Sequence, residues 1–137
     1  MKIHIVGENE AAVEGYERIE IKDGKVDLSK YSDNECSFIL GSDCLDLFSQ
    51  ADAKGFILEV RQKLRLGGTL VLGGADIRLL ARSVVSESIS VEDANSLLFS
   101  KKSCLDVNTI SDLVSGVGLE IISTKISGIH YEIESSR

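Results

Sequence analysis

Between Asp52 and Asp76 the apolar residues change their period. Phe56, Val60 and Leu64 recur every four residues with Ile57 beside them, which predicts a helix over 52–65 with one buried stripe. Thr69 to Leu72 is then a continuous β-rich run with no polar side, and Gly67 and Gly68 stand where a positive backbone angle would close the helix. A strand that is apolar on both sides is normally covered on both sides, as in the centre of a parallel α/β sheet. Gly73 and Gly74 open the chain at that strand's carboxyl end, the edge where open α/β sheets bind ligands.

The same patterning extends in both directions. Lys2 to Val6 and Glu17 to Ile21 read as strands, the second alternating polar with apolar. Only the ten residues Gly7 to Tyr16 separate them, so a parallel pairing leaves room for one helical turn or a bare loop. Asp23-Gly24 signals a turn, Val26-Asp27-Leu28 is a candidate third strand, and Cys36 to Leu40 is the next buried one. Gly41-Ser42-Asp43 ends that strand with Ser42 or Asp43 placed to cap a helix, and Leu45 to Phe48 makes a short turn before the long helix. After Asp76, a cap residue, Ile77, Leu80, Ala81, Val84 and Val85 trace an inward helical stripe. Ser90 and Asp93 have the spacing of a capping box. From Asp106 another helix turns Val107, Ile110, Leu113, Val114 and Val117 inward and stops at Gly116 or Gly118. Leu119 to Lys125 and Ile129 to Ile133, joined through Ser127-Gly128, predict an antiparallel hairpin. The sum is one domain over residues 1–137 with a mostly parallel sheet and an antiparallel final strand.

Composition narrows the function classes. With 43% hydrophobic and 27% charged residues, the 137-residue chain has the balance of a soluble globular domain large enough for one core. No apolar run approaches the ~18 residues of a membrane span, and no signal peptide is visible, so a cytoplasmic location is expected. A net charge of −7 disfavours nucleic acid and anionic membranes as partners. Lys54, Arg61, Lys63 and Arg65 cluster on the long helix and read as its solvated face. Cys36, Cys44 and Cys104 form no CxxC pair and have no histidine at ligand spacing, so no metal site is expected and buried thiols acting as small hydrophobes fit them.

Hydrolytic and phosphate-binding motifs are missing: the chain has no GxSxG, no HExxH and no P-loop. His4 and His130 lie on predicted strands at opposite ends, with His130-Tyr131 either facing a pocket or forming an ordinary sheet pair. Strand-end carboxylates say more. Glu20 ends the second strand, where nucleotide-binding α/β folds place an acid that accepts hydrogen bonds from two ribose hydroxyls. The same residue is equally consistent with a solvent-exposed strand end. Gly7 follows the first strand, where such folds turn sharply so that backbone approaches the ligand.

This ordered string resembles the short class I S-adenosylmethionine-dependent methyltransferases over nearly the whole chain. Gly15 to Ile21 resembles that family's GYxNVD segment, with Glu20 at the ribose-binding acid. Ser42 to Phe48 resembles its SxxLEHF segment, Leu64 to Leu70 its LKPGGxL segment, Ala75-Asp76 its Pro-Asp, and Gly116 to Ile121 its AGF segment. The resemblance implies a three-layer, Rossmann-like fold with a reduced amino-terminal half. It also implies S-adenosylmethionine as cofactor, with Gly7 lining the turn, Glu20 on the ribose, and Gly41 and Ser42 near the methionine end. Three positions differ: Ile5-Val6-Gly7-Glu8 replaces the glycine-rich turn, Leu47 the histidine of LEHF, and Leu66 the proline of LKPGG. The implied activities are therefore methyl transfer to a small molecule or glycan, with no catalytic residue assigned, or a methyltransferase-like pseudoenzyme that serves as a binding or assembly module with a protein partner. A third reading is a binder of another nucleotide at the same strand ends. Self-association is compatible with each.

Overall fold

The computed structural model describes residues 1–137. Its strands are β1 (Lys2–Val6), β2 (Glu17–Glu20), β3 (Cys36–Gly41), β4 (Leu64–Ala75), β5 (Glu120–Ser127) and β6 (His130–Ser136). Its helices are α1 (Gln50–Lys63), α2 (Ile77–Val85), α3 (Val91–Phe99) and α4 (Val107–Gly116), with a 3₁₀ turn at Leu45–Leu47. All six strands join one sheet in the order β2-β1-β3-β4-β6-β5. Pairs β1–β2, β1–β3 and β3–β4 are parallel, while β6 runs antiparallel to both β4 and β5. The sheet is thus mostly parallel with an antiparallel terminal strand, as expected.

Register puts the branched residues of neighbouring strands on one face. Ile5 pairs with Ile19, Ile3 with Ile39, Ile39 with Leu70, and Leu72 with Ile133. These residues share a single cluster with Phe56, Ile57 and Val60 of α1 and Ile110 and Val114 of α4. The stripe predicted for α1 faces the sheet through Phe56, Ile57 and Val60, whereas Leu64 and Arg65, expected at the end of the helix, begin β4. Ser49 caps α1 by accepting from the Asp52 amide, and Asp106 caps α4 through the Thr109 amide.

On the opposite face Lys2, His4, Phe38, Leu40 and Thr69 stand in register, and no helix covers them. The link from Gly7 to Tyr16 crosses there as a strap: the Val13 amide donates to His4 Nδ1 (3.0 Å) and Arg18 Nε donates to the Glu10 carbonyl (2.7 Å). Ten residues cannot both reverse direction and form a helix, so of the three layers expected, the second helical layer is represented by this strap. No helix is long and apolar enough to cross a membrane.

Four local expectations are corrected. Val26 to Leu28 forms no strand; a Lys22–Lys25 bridge tightens the turn before it and Asp27 accepts from the Ser29 amide (2.9 Å), while Leu28 is fully buried. The run is too short to pair once both its ends are bent. Neither Ser42 nor Asp43 caps a helix; the 3₁₀ turn starts at Cys44 without a side-chain cap. Gly67 has φ +78°, but it lies inside β4, where pairing jumps from Cys36–Leu64 to Phe38–Thr69, and not at the helix end, because Leu64 already pairs with β3. Finally, of the stripe predicted to face inward on α2, only Leu80 is buried, and Ile77, Ala81 and Val85 are exposed.

Gly73 and Gly55 separate a packing constraint from a conformational one. A methyl on Gly73 would overlap the carbonyl oxygens of Ser42 and Tyr131, whereas one on Gly55, within α1, meets nothing. Gly73→Ala is expected to cost at least about 3 kcal/mol in urea unfolding. Gly55→Ala should add about 0.5–1 kcal/mol by restricting the unfolded chain. Equal effects at the two positions would contradict this packing.

Candidate functional site at the carboxyl edge of the sheet

Because β1, β2, β3 and β4 run in parallel, their carboxyl ends share one edge, and the chemistry-bearing residues gather along it. Gly7 lies just beyond β1 in a recess of about 400 Å³ that it shares with Glu8, Glu10, Asp23, Leu47 and Lys101, among others. A side-chain carbon on Gly7 would stand 3.0 Å from Glu10 Oε1 and 3.1 Å from Leu47 Cδ1. A side chain at Gly7 would therefore press on the ends of these two side chains. Arg18 Nη2 also reaches the Gly7 carbonyl (3.4 Å), which ties this turn to β2.

Glu20 lies on the same edge but not in the same recess. Its carboxylate sits 3.6 Å from Arg18 Nη1 and 3.8 Å from Lys22 Nζ, in a neighbouring hollow lined by Lys22, Lys25, Val26 and Asp27. Of the acids at and after the end of β2, Asp23 is the one that lines the Gly7 recess, beside Glu8 and Glu10. Sequence reasoning took Asp23-Gly24 only as a turn, and Asp23 does adopt a positive φ of 51°. The legible signal was the turn itself: a strand-end acid followed by a tight reversal brings the next carboxylate back toward β1.

Gly41 is buried beneath Cys44, whose Sγ would be 2.7 Å from a side-chain carbon at that position, so Gly41 lines no recess. Ser42 lines a third recess of about 340 Å³, with Asp43, Lys125, His130, Tyr131 and Glu132. Here His130 Nδ1 faces Asp43 Oδ1 at 4.0 Å, both half-exposed. His130 and Tyr131 are also ordinary sheet partners, His130 with Ala75 and Ser127 and Tyr131 with Gly74 and Ile126, and Tyr131 is buried in the main core while His130 is exposed. The four residues assigned from the sequence thus meet at one edge, while Gly7, Glu20 and Ser42 occupy separate hollows of it.

Asp46 ties these hollows together. Its Oδ2 accepts from the Ala75 amide at the end of β4 (2.9 Å), and its carbonyl accepts from the amides of Lys102 (2.9 Å) and Ser103 (3.3 Å). The 3₁₀ turn is thereby fastened both to the sheet and to the segment that carries Lys101 and Lys102 to the Gly7 recess. The side chain is only 2% exposed. Burial, reinforced by nearby Asp43, pushes its carboxyl up to about 6 against the pull of the Ala75 amide, Lys101 and His130. Burial also raises the Cys44 thiol well above its ordinary range and brings Cys104 to about 11, so neither is a thiolate at neutral pH. Cys36 and Cys44 are buried, as expected of small hydrophobes.

No family model and no curated protein matches the sequence. Solved structures do match in shape. The PH0226 protein of Pyrococcus horikoshii aligns with 89% of this chain and 59% of its own, at 19% identity and a TM-score of 0.64. An S-adenosylmethionine-dependent methyltransferase of Thermotoga maritima, described as a possible histamine N-methyltransferase, aligns with 89% of this chain and 64% of its own, at 16% identity and a TM-score of 0.62. One from Mesorhizobium loti aligns with 93% of this chain and 72% of its own, at 10% identity and a TM-score of 0.61. The fold is that of the class I S-adenosylmethionine-dependent methyltransferases. Within it this chain spans about 60% of the length of the first two structures. The Gly7 recess, Asp46 and the Ser42 recess all lie on the carboxyl edge, the ligand-binding edge of such sheets.

A carboxyl group raised in the folded state binds its proton more tightly there than in the unfolded chain, whose aspartates titrate near 3.9. The stability it contributes is full below about pH 4 and is lost as pH rises through about 6. Asp46→Asn keeps an oxygen for the Ala75 amide and cannot ionise. At pH 8 the variant should exceed the parent by on the order of 2 kcal/mol in urea unfolding, and the gap should close toward pH 4. A gap independent of pH would show that Asp46 does not titrate in this window.

Proposed function

We propose that the chain binds S-adenosylmethionine at the Gly7 recess and acts as a methyltransferase on a small molecule or glycan. The observation that carries this reading is the charge pattern of the recess, in which the carboxylates of Glu8, Glu10 and Asp23 stand among Lys101 and Lys102. S-adenosylmethionine has an ammonium, a sulfonium and a ribose diol, which suit carboxylates, and one carboxylate, which suits a lysine. The recess volume of about 400 Å³ is in the usual range for a small-molecule site.

In this assignment Asp23, together with or in place of Glu20, accepts from the ribose hydroxyls, and Lys101 or Lys102 pairs with the cofactor's carboxylate. Glu8 and Glu10 face its cationic end. A carboxylate pair about 4 Å apart costs on the order of 1 kcal/mol in water and several times that near a protein surface, so the methionine carboxylate is oriented away from them. When bound, the cofactor supplies an electrophilic methyl group, and the chain's part is to align an acceptor with it. Ser42, next to the buried Gly41, lines the neighbouring recess on the same edge. There His130 and Asp43, 4.0 Å apart, line the space in which an acceptor would sit.

A second reading rests on one specific contact. Glu10 Oε1 and Leu47 Cδ1 stand against Gly7, in the space that a glycine turn normally opens to a ligand. A methyltransferase-like module that has filled this space with its own side chains would serve as a binding or assembly partner instead.

Thermal unfolding with ligand distinguishes the two. S-adenosylmethionine or S-adenosylhomocysteine at 100 times its dissociation constant adds about 2.7 kcal/mol and shifts the midpoint by several degrees. Asp23→Ala should remove most of that shift and Glu20→Ala less, since Glu20 is engaged by Arg18 and Lys22. A larger loss in Glu20→Ala would return the ribose to Glu20. No shift at millimolar ligand would leave the module reading in its place.

A further inference from the structure

The two helices between β4 and α4 expose more apolar surface than they bury. Ile77 is 45% exposed, Val85 85%, Val91 76% and Phe99 80%. In α2, Ile77, Ala81 and Val85 repeat every four residues and form an outward stripe, and in α3 Val91 and Phe99 lie eight residues apart on one side. Beneath them only Leu80 and Ala94 are buried, against Ala75 and Ile129. A surface helix ordinarily has one apolar stripe turned to its core, and α2 has a second turned to solvent. Large apolar residues left exposed on two neighbouring helices are the usual material of an interaction surface.

Charge says what covers it. Helix α2 contains Arg78 and Arg82 and no acid, while α3 contains Glu92 and Asp93 and no base. Arg78 is already held by Asp106 at 2.7 Å, which leaves Arg82 as the unpaired base of α2. A contact about a two-fold axis requires a surface that complements itself. One basic and one acidic helix, each with an apolar stripe, meet that condition.

We infer that this face is a self-association surface, on which α2 of one copy lies against α3 of a second copy. Ile77 and Val85 then cover Val91 and Phe99, and Arg82 approaches Glu92 and Asp93 of the second copy. Each helix has nine residues, so the pair offers a face about 14 Å long and about 20 Å wide. That is smaller than the roughly 800 Å² a side of a standard interface, and it sets the dimer in the micromolar range or weaker. None of the residues named in the contact lines the Gly7 recess, and its test requires no ligand or activity.

Sedimentation velocity of the 137-residue chain from about 1 to 300 µM tests it. The weight-average mass should rise with concentration from 14.9 kDa toward twice that value. Val85→Asp and Phe99→Asp, at positions that are already exposed, should each weaken association at least about tenfold with an unchanged far-ultraviolet spectrum. Arg82→Glu and Glu92→Arg should each weaken it, and the double variant should recover most of the loss. A chain that stays at 14.9 kDa up to about 300 µM would overturn the inference and leave the face to a different occupant. A dimer indifferent to Val85→Asp and Phe99→Asp, or a double variant no better than the single ones, would overturn it as well.

Discussion

Between Val6 and Glu17 the chain has ten residues in which to reverse and begin a second parallel strand, and the shape of the molecule follows from that constraint. A right-handed crossover with a helix needs more chain, so the link lies across the sheet as a strap pinned by His4 and Arg18. The main core forms on the other face under α1 and α4, and the apolar residues sort accordingly. Ile3, Ile39, Leu70, Leu72 and Ile133 are buried under the helices, while Lys2, His4 and Thr69 face the strap side. The strap also decides the character of the site. It brings Glu8 and Glu10 to the turn after β1, where a longer connection would have started a helix with its amide groups toward the ligand.

The buried carboxylate of Asp46 does for the edge of the sheet what the strap does for its face. Holding an acid at 2% exposure is costly, and part of the cost is offset by the hydrogen bond its side-chain oxygen accepts from the Ala75 amide, while the residue's carbonyl accepts from the amides of Lys102 and Ser103. Through those bonds β4, the turn after β3 and the segment after α3 become one unit. Gly74 belongs to it, because a side-chain carbon there would come within 2.6 Å of Asp46 Oδ1. The paired glycines that end the β4 run therefore answer to two different neighbours, Gly73 to backbone carbonyls and Gly74 to this carboxylate.

What could be read from the sequence was what depends on neighbours along the chain. The stripe of α1, the caps at Asp76 and Ser90, the start of α4 after Asp106, and the terminal hairpin with Gly128 at φ +61° are all local, and each lies close to where its residues predict. Side-chain destinations across the fold were less legible. Glu20 has the position of a ribose acid, yet alternate residues of a strand share a face, and Arg18 two residues earlier reaches its carboxylate first. Asp23 was hidden by its role in the turn, since a turn signal specifies backbone angles and not the cavity a side chain borders. Val26 to Leu28 has strand-forming residues but too few to fix a period, and the turn ahead of it decided its course. In α2 the six apolar residues fill more than one stripe, and nothing local tells which one will be covered.

The carboxyl edge is consequently built by elements of unequal firmness. Gly7 and Asp23 are held by β1 and β2, inside the main sheet. Lys101 and Lys102 come to the same recess from the end of α3, a helix whose own cluster contains four buried residues against the 22 of the main core. The number of buried apolar contacts sets local stability, so the basic side of the recess opens at a lower free energy than the acidic side. Asp46 limits this difference by accepting from Lys102 and Ser103 directly, and a cover over Phe99 would limit it further, because Phe99 immediately precedes the segment that lines the recess. Order in the α2–α3 pair and the arrangement of charge around Gly7 are thus coupled through three residues, Ser100 to Lys102, whatever occupies either place.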